Sequence, residues 1–185
     1  MLDELLLETE ERMENAVKAL ERNLAKVRTG RANPKMFEGV HVDYYGVPTP
    51  LSQVGTVSVP EPSQILIKPY DRSLVKEIEK AILAANLNVN PQNEGDQLRI
   101  VIPPLTEERR KQYVKETKSL IEDARVALRN VRRDANDSIK KMEKNSEISE
   151  DDAKGYQDDV QTLTDQYVGK VDALGSAKEK DLMTV

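Results

Sequence analysis

Residues Pro103 to Lys144 read PPLTEERRKQYVKETKSLIEDARVALRNVRRDANDSIKKMEK, and this run decides the fold. Pro103 and Pro104 interrupt whatever precedes them. Thr106, followed by Glu107 and Glu108, then supplies a capping hydroxyl and two acids for the first turn of a helix. No Gly or Pro follows before Lys144, and Val114, Ile121, Ala124, Leu128, Val131, Ala135, Ile139 and Met142 recur at helical spacing. A helix of roughly 40 residues would be ~60 Å long at 1.5 Å per residue. Its apolar stripe requires bundle partners.

Both flanks of the chain supply one. Leu2, Leu6, Met13, Ala16, Val17, Leu20, Leu24 and Val27 lie on one stripe of a first helix. That helix is expected to end near Arg28 or Thr29, with Gly30 as a left-handed C-cap and Pro34 forbidding continuation. A third helix opens at Ser149, with Asp152 three residues later, and carries Tyr156, Val160, Leu163, Tyr167, Val171 and Leu174.

Between the first two helices the period changes. Val40, Val42 and Tyr44 alternate with His41, Asp43 and Tyr45 up to Gly46 and the Pro48, Pro50 pair. Strand-like runs follow at Thr56 to Val59, Gln64 to Lys68 and Leu98 to Ile102, with a short helix capped by Asp71 among them. The expected fold is therefore α+β. A long three-helix bundle (1–30 and 105–185) carries a small α/β domain (31–104), a β/α/β sandwich inserted between helices 1 and 2. Two strands of chain must join the parts, so Thr29, Gly30, Arg31 and Pro103, Pro104, Leu105 are the expected hinge.

Composition removes most chemistry. The 185 residues contain no Cys and one histidine, His41, which excludes disulfides, thiolate metal sites and histidine clusters. No Ser or Cys motif accompanies His41, and no G-x-x-x-x-G-K-[ST] phosphate loop is present. The acids Glu150, Asp151 and Asp152 suit a helix start and lack the spacing of a calcium loop. Catalytic residues, metal ligands and cofactors are thus not expected. Tyr44 and Tyr45 are expected to split, one buried and one exposed, as alternation along a strand dictates. The N-terminus has no basic region ahead of an apolar stretch, so a cytoplasmic protein without membrane attachment is expected.

The net charge of −5 argues against a nucleic-acid partner only if it is spread evenly. It is not. Residues 109–144 carry 12 basic and 6 acidic side chains, whereas residues 145–185 carry 4 and 10. At about 100° per residue Lys111, Lys118, Arg125 and Arg132 repeat every seven positions, and Arg129 falls on the same line beside the apolar stripe. Guanidinium forks suit phosphate. The plain alternative is that these arginines pair with the acids of the third helix, and charge alone favours it. Arg28 and Arg31, flanking Gly30, either extend a basic surface or cap helical carbonyls.

Several runs together carry a resemblance. They are Val27-Arg28-Thr29-Gly30-Arg31-Ala32-Asn33-Pro34, Tyr44-Tyr45-Gly46, Pro103-Pro104-Leu105-Thr106-Glu107-Glu108-Arg109-Arg110, Ala124-Arg125-Val126, Arg129-Asn130-Val131-Arg132-Arg133-Asp134-Ala135-Asn136 and Glu147-Ile148-Ser149-Glu150-Asp151-Asp152. In order and spacing the chain resembles the bacterial ribosome recycling factor family over its whole length. The resemblance implies an L-shaped, tRNA-like monomer whose bundle binds rRNA of the large ribosomal subunit at the intersubunit face. With elongation factor G, which brings the GTP, it would free the post-termination ribosome from mRNA and split the subunits. The residues implied for RNA binding are Arg28, Gly30, Arg31, Arg110, Arg129 and Arg132, which favours the phosphate reading of the ridge and brings in Arg125 and Lys118 beside them. The rival function is a coiled-coil adaptor whose ridge binds an acidic protein. A carboxylate hydrolase finds no suitably spaced pair of acids.

Overall fold

The computed structural model describes residues 2–183; Met1, Thr184 and Val185, which the expected bundle boundaries include, lie outside the described residues. The element order is α1 (Leu2–Ala25), β1 (His41–Tyr44), β2 (Val47–Pro50), α2 (Leu51–Val54), β3 (Gly55–Glu61), β4 (Gln64–Pro69), α3 (Val75–Ala84), β5 (Pro91–Asn93), β6 (Leu98–Val101), α4 (Glu107–Lys144) and α5 (Glu150–Met183). By packing the chain forms two units, one reaching to Val27 and resuming at Lys111, the other Arg28–Arg110. Arg28, Thr29, Gly30 and the first turn of α4 thus group with the inserted unit.

The helical unit buries the anticipated stripes. Met13, Val17, Leu20 and Leu24 of α1 pack with Ile121, Ala124, Leu128 and Val131 of α4 and with Tyr167 and Val171 of α5. A second cluster joins Ala135 and Ile139 of α4 to Ala153 and Val160 of α5. Each fully buried Leu or Ile contributes roughly 1.5–3 kcal/mol. Both expected caps are present: Arg109 N–H donates to Thr106 Oγ1 at 3.2 Å, and Asp152 N–H donates to Ser149 Oγ at 3.0 Å. α5 packs closely on α4 at Gly175, where a Cβ would lie 2.2 Å from Ile121 Cδ1.

α1 stops earlier than its periodicity indicates. It ends at Ala25, and Lys26 and Val27 N–H groups donate to Asn23 and Leu24 carbonyls at 3.3 and 3.1 Å, a tight closing turn that turns Val27 into the core. Gly30 does take a left-handed φ of +76°, but beyond that turn and so not as the helix cap.

In the inserted unit the four-stranded antiparallel sheet, ordered β3-β4-β6-β5, and the β1-β2 hairpin enclose α3, which packs against both β1 and β5. Ile65 and Ile67 of β4, Leu98 and Ile100 of β6, Ile78 and Ile82 of α3 and Val42 of β1 fill the core between them. The β/α/β sandwich is therefore present. Asp71 Oδ1 accepts from Ser73 N–H at 2.9 Å and caps the 3-10 turn Arg72–Leu74 leading into α3. That backbone bond is the main reason the Asp71 carboxyl sits below its usual pKa.

The hairpin bears out one expectation, adds a strand and corrects another. β1 ends at Tyr44, ahead of Gly46 as the alternation indicates, but the proline segment is itself a strand: Tyr44 pairs with Val47 across a two-residue turn in which Tyr45 and Gly46 have φ of +50° and +85°, and the chain returns as β2. Pro48 and Pro50 oppose Asp43 and His41 at alternate positions, where the missing N–H would point away from β1, so β2 tolerates both. Tyr44 and Tyr45 do not split into buried and exposed. They are 41% and 76% exposed and meet edge to face at 4.8 Å, because Tyr45 belongs to the turn and Tyr44 lies past the core.

Candidate nucleic-acid interface

The basic ridge of α4 follows from its register. Burying Thr117, Ile121, Ala124, Leu128 and Val131 places Lys118, Arg125, Arg129 and Arg132 along the border of the buried stripe, facing α5 or solvent. Their partners differ. Arg125 donates to Asp172 Oδ1 of α5 from Nε at 3.0 Å and from Nη2 at 2.6 Å, and lies 3.5 Å from Glu122 Oε2. The Asp172 hydrogen bonds hold its guanidinium pKa above the usual range. Arg129 Nη2 donates to Glu122 Oε1 at 2.8 Å, which lowers the Glu122 carboxyl pKa. Arg132 instead meets a neutral group, donating from Nη1 to Gln161 Oε1 of α5 at 3.2 Å. Lys118 is exposed.

Pairing with acids thus covers only part of the ridge. Arg125 is paired across the α4–α5 seam, as the plain alternative expects. Arg129 shares one exposed carboxylate with Arg125, whereas the partner of Arg132 is the neutral Gln161 amide. On another face of α4, Arg12 of α1 pairs with Asp134 at 3.0 Å, so this acid serves the bundle.

The other predicted residues belong to the inserted unit. Arg28 is half-buried and Arg31 is exposed, with Arg31 N–H donating to Thr29 Oγ1 at 3.4 Å. Arg110 is half-buried, its Nε packed away without a hydrogen-bond partner. Gly30 passes beside the second connection: a Cβ on it would lie 3.5 Å from Leu105 Cγ and 4.0 Å from Pro104 Cα. The two connections are also tied to one turn, since Ala32 N–H donates to Pro62 O and Ile102 N–H to Ser63 O, both at 2.7 Å. Of the expected hinge residues, Gly30 therefore lies against Pro104 and Leu105, and Pro103 links Pro104 to the Ile102 anchor.

Sequence reasoning missed the α5 side of this surface. Gln161, Asp165 and Asp172 stand four and seven residues apart, a spacing that sets them on one stripe facing the α4 ridge, and that spacing was the available signal. His41 is exposed on β1 with only the Gly39 carbonyl near its Nδ1, at 3.3 Å. Among the described residues no three acids or histidines converge as a metal site, and no helix is long and apolar enough to cross a membrane.

Comparison with known proteins follows the same lines. The family model described as ribosome recycling factor matches residues 20–183. Curated ribosome-recycling factors from Geobacillus sp. (strain WCH70) and Bacillus subtilis (strain 168) are 54% and 51% identical over 185 residues, covering all of this chain and all of each relative. A solution structure of a ribosome recycling factor, 42% identical, aligns over 100% of this chain and 98% of its own with a TM-score of 0.84. A second structure, 43% identical and fully covered with a TM-score of 0.70, describes models for the T. thermophilus ribosome recycling factor and E. coli elongation factor G bound to the E. coli post-termination complex. With its helices, inserted sandwich and full-length identity all in agreement, this chain belongs to the ribosome recycling factor family.

Proposed function

We propose that the chain is a translation factor that binds the post-termination ribosome and, with elongation factor G and GTP, releases it from mRNA and splits the subunits for reuse. The observation that carries this is the end-to-end match to ribosome-recycling factors, one relative of which is described on a post-termination complex together with elongation factor G. It acts as a cytoplasmic monomer by binding and displacement, and does no covalent chemistry. The coiled-coil adaptor reading loses its ground, because the relatives it would need are absent from among those described above, all of them ribosome-recycling factors.

The surface that meets large-subunit rRNA is the α4 ridge, with Arg132, Arg129, Arg125 and Lys118 placing charge along it. Arg28, Gly30, Arg31 and Arg110 contribute from the connections to the inserted domain. Phosphate contacts position a stiff helix on RNA without reading sequence. Gly30 offers close backbone approach together with the left-handed φ of +76° that a side chain would strain. Thr29, Gly30, Arg31, Pro103, Pro104 and Leu105 form the hinge through which force on the inserted domain reaches the bundle.

The test is pelleting with large ribosomal subunits across a salt series. Replacing Arg132 by Ala should weaken binding by about tenfold, the scale of one charge-assisted hydrogen bond, and flatten the salt slope by about one. Wild-type affinity in that variant would sink the ridge assignment.

A further inference from the structure

Arg132 is held in a way the other ridge arginines are not. Its Nε lies buried without a hydrogen-bond partner in a residue that is half-buried as a whole, so the inner end of the guanidinium is packed against the bundle. One outer nitrogen, Nη1, donates to Gln161 Oε1 at 3.2 Å. The Gln161 amide is itself oriented from behind, because its Nε2 donates to Asp165 Oδ1 at 2.8 Å, one turn further along α5. A carboxylate only accepts, so Asp165 commits the amide nitrogen to itself and leaves the carbonyl oxygen for Arg132. The order Asp165, Gln161, Arg132 therefore fixes a guanidinium through a neutral link.

The neutral link matters for affinity. Arg125 and Arg129 must leave Asp172 and Glu122 before they can give full charge to a phosphate, whereas Arg132 exchanges nothing. A guanidinium already ordered also loses less side-chain entropy on binding. A carboxylate where Gln161 stands would lose the amide donor that Asp165 holds, and would neutralise the guanidinium besides.

We propose that Gln161, itself aligned by Asp165, is a positioning residue that presents Arg132 to a backbone phosphate of large-subunit rRNA. The inference rests on the phosphate reading of the ridge and deepens it. It assigns to α5, the acidic helix, a direct part in a surface otherwise built on α4.

Large ribosomal subunits are the probe, in pelleting at fixed salt, with far-ultraviolet circular dichroism to confirm that each variant keeps its helices. Gln161→Ala should bind about fivefold more weakly, the scale of one net hydrogen bond. Gln161→Glu should bind more weakly still in the Arg132 background, and in the Arg132→Ala background it should lose only what an added negative charge beside phosphate costs. In an Arg132→Ala background, Gln161→Ala should cost nothing further, because the group it positions is gone. Additive losses in that double variant, or unchanged affinity in Gln161→Ala, overturn the positioning role while leaving the ridge intact. If Arg132→Ala itself binds normally, the phosphate reading fails and this inference with it.

Discussion

Arg125 aims two nitrogens at a single oxygen of Asp172, Oδ1, at 3.0 and 2.6 Å, and this pair spans α4 and α5. The opposition between a basic and an acidic helix is thus partly internal to the bundle. Only part of it is, since the acids of α5 reach Arg125 while Arg132, one helical heptad further along, meets an amide. The net charge of −5 is compatible with an RNA-binding surface because the compensation is uneven along one ridge.

Asp172→Asn follows directly from that pair. Both side chains are nearly half exposed, so the bridge contributes well under 1 kcal/mol to stability after solvent screening, and Tm should barely move. Arg125, released from its carboxylate, should raise affinity for large subunits and steepen the salt dependence. Binding weaker than wild type at unchanged Tm would mean that Asp172 orients Arg125 productively.

Gly175→Ala pits two effects against each other. Ala is better than Gly in a helix by about 1 kcal/mol, but its Cβ would lie 2.2 Å from Ile121 Cδ1 and 2.9 Å from Cγ1. Overpacking of that kind costs roughly 1–3 kcal/mol. The clash should win, lowering stability in urea by about 1 kcal/mol, with Ile121→Val restoring part of it. A stabilised Gly175→Ala would show that α4 and α5 can separate at little cost.

Thr106 and Ser149 are legible as helix starts because a capping hydroxyl and following acids act through neighbours in sequence, and both bonds are made. The stripes of the long helices are legible for the same local reason. β2 and β5 are not. One carries two prolines tolerated only through its register against β1, and the other is a three-residue polar edge defined by β6. The arginines of the ridge are readable from a seven-residue repeat, but which of them is neutralised depends on α5 side chains that only packing brings near. Tyr45 at positive φ likewise depends on a turn whose glycine comes second.

The Tyr167 phenol is pushed up to about 12, first by burial and then by its bond to Glu14. The unfolded chain loses this proton near the ordinary tyrosine value of 10.0, whereas the folded chain keeps it. This group therefore favours the fold below pH 10, and its contribution is lost as pH rises through 12. Tyr167→Phe should flatten the fall in Tm over that window and remove the last phase of tyrosinate absorbance among the six tyrosines. An unaltered late phase in Tyr167→Phe would place the late-titrating phenol elsewhere.

Ala32 and Ile102 are both anchored to the Pro62–Ser63 turn, so freedom in the connections is confined to residues beyond those anchors. On the second connection that leaves Pro103, Pro104, Leu105 and Thr106, and the two proline rings restrict the backbone of this segment joining Ile102 to α4. Replacing both by Gly removes this restriction and should cost stability by no more than about 1 kcal/mol per site, since neither proline is buried. Binding to large subunits should stay within roughly twofold because the ridge is untouched. Release of ribosomes from mRNA by elongation factor G and GTP should fall several-fold, because a slack connection transmits less of any force applied to the inserted domain. Recycling at the unaltered rate in the double variant would remove Pro103 and Pro104 from the mechanism and leave the restraint to the first connection and the two anchors.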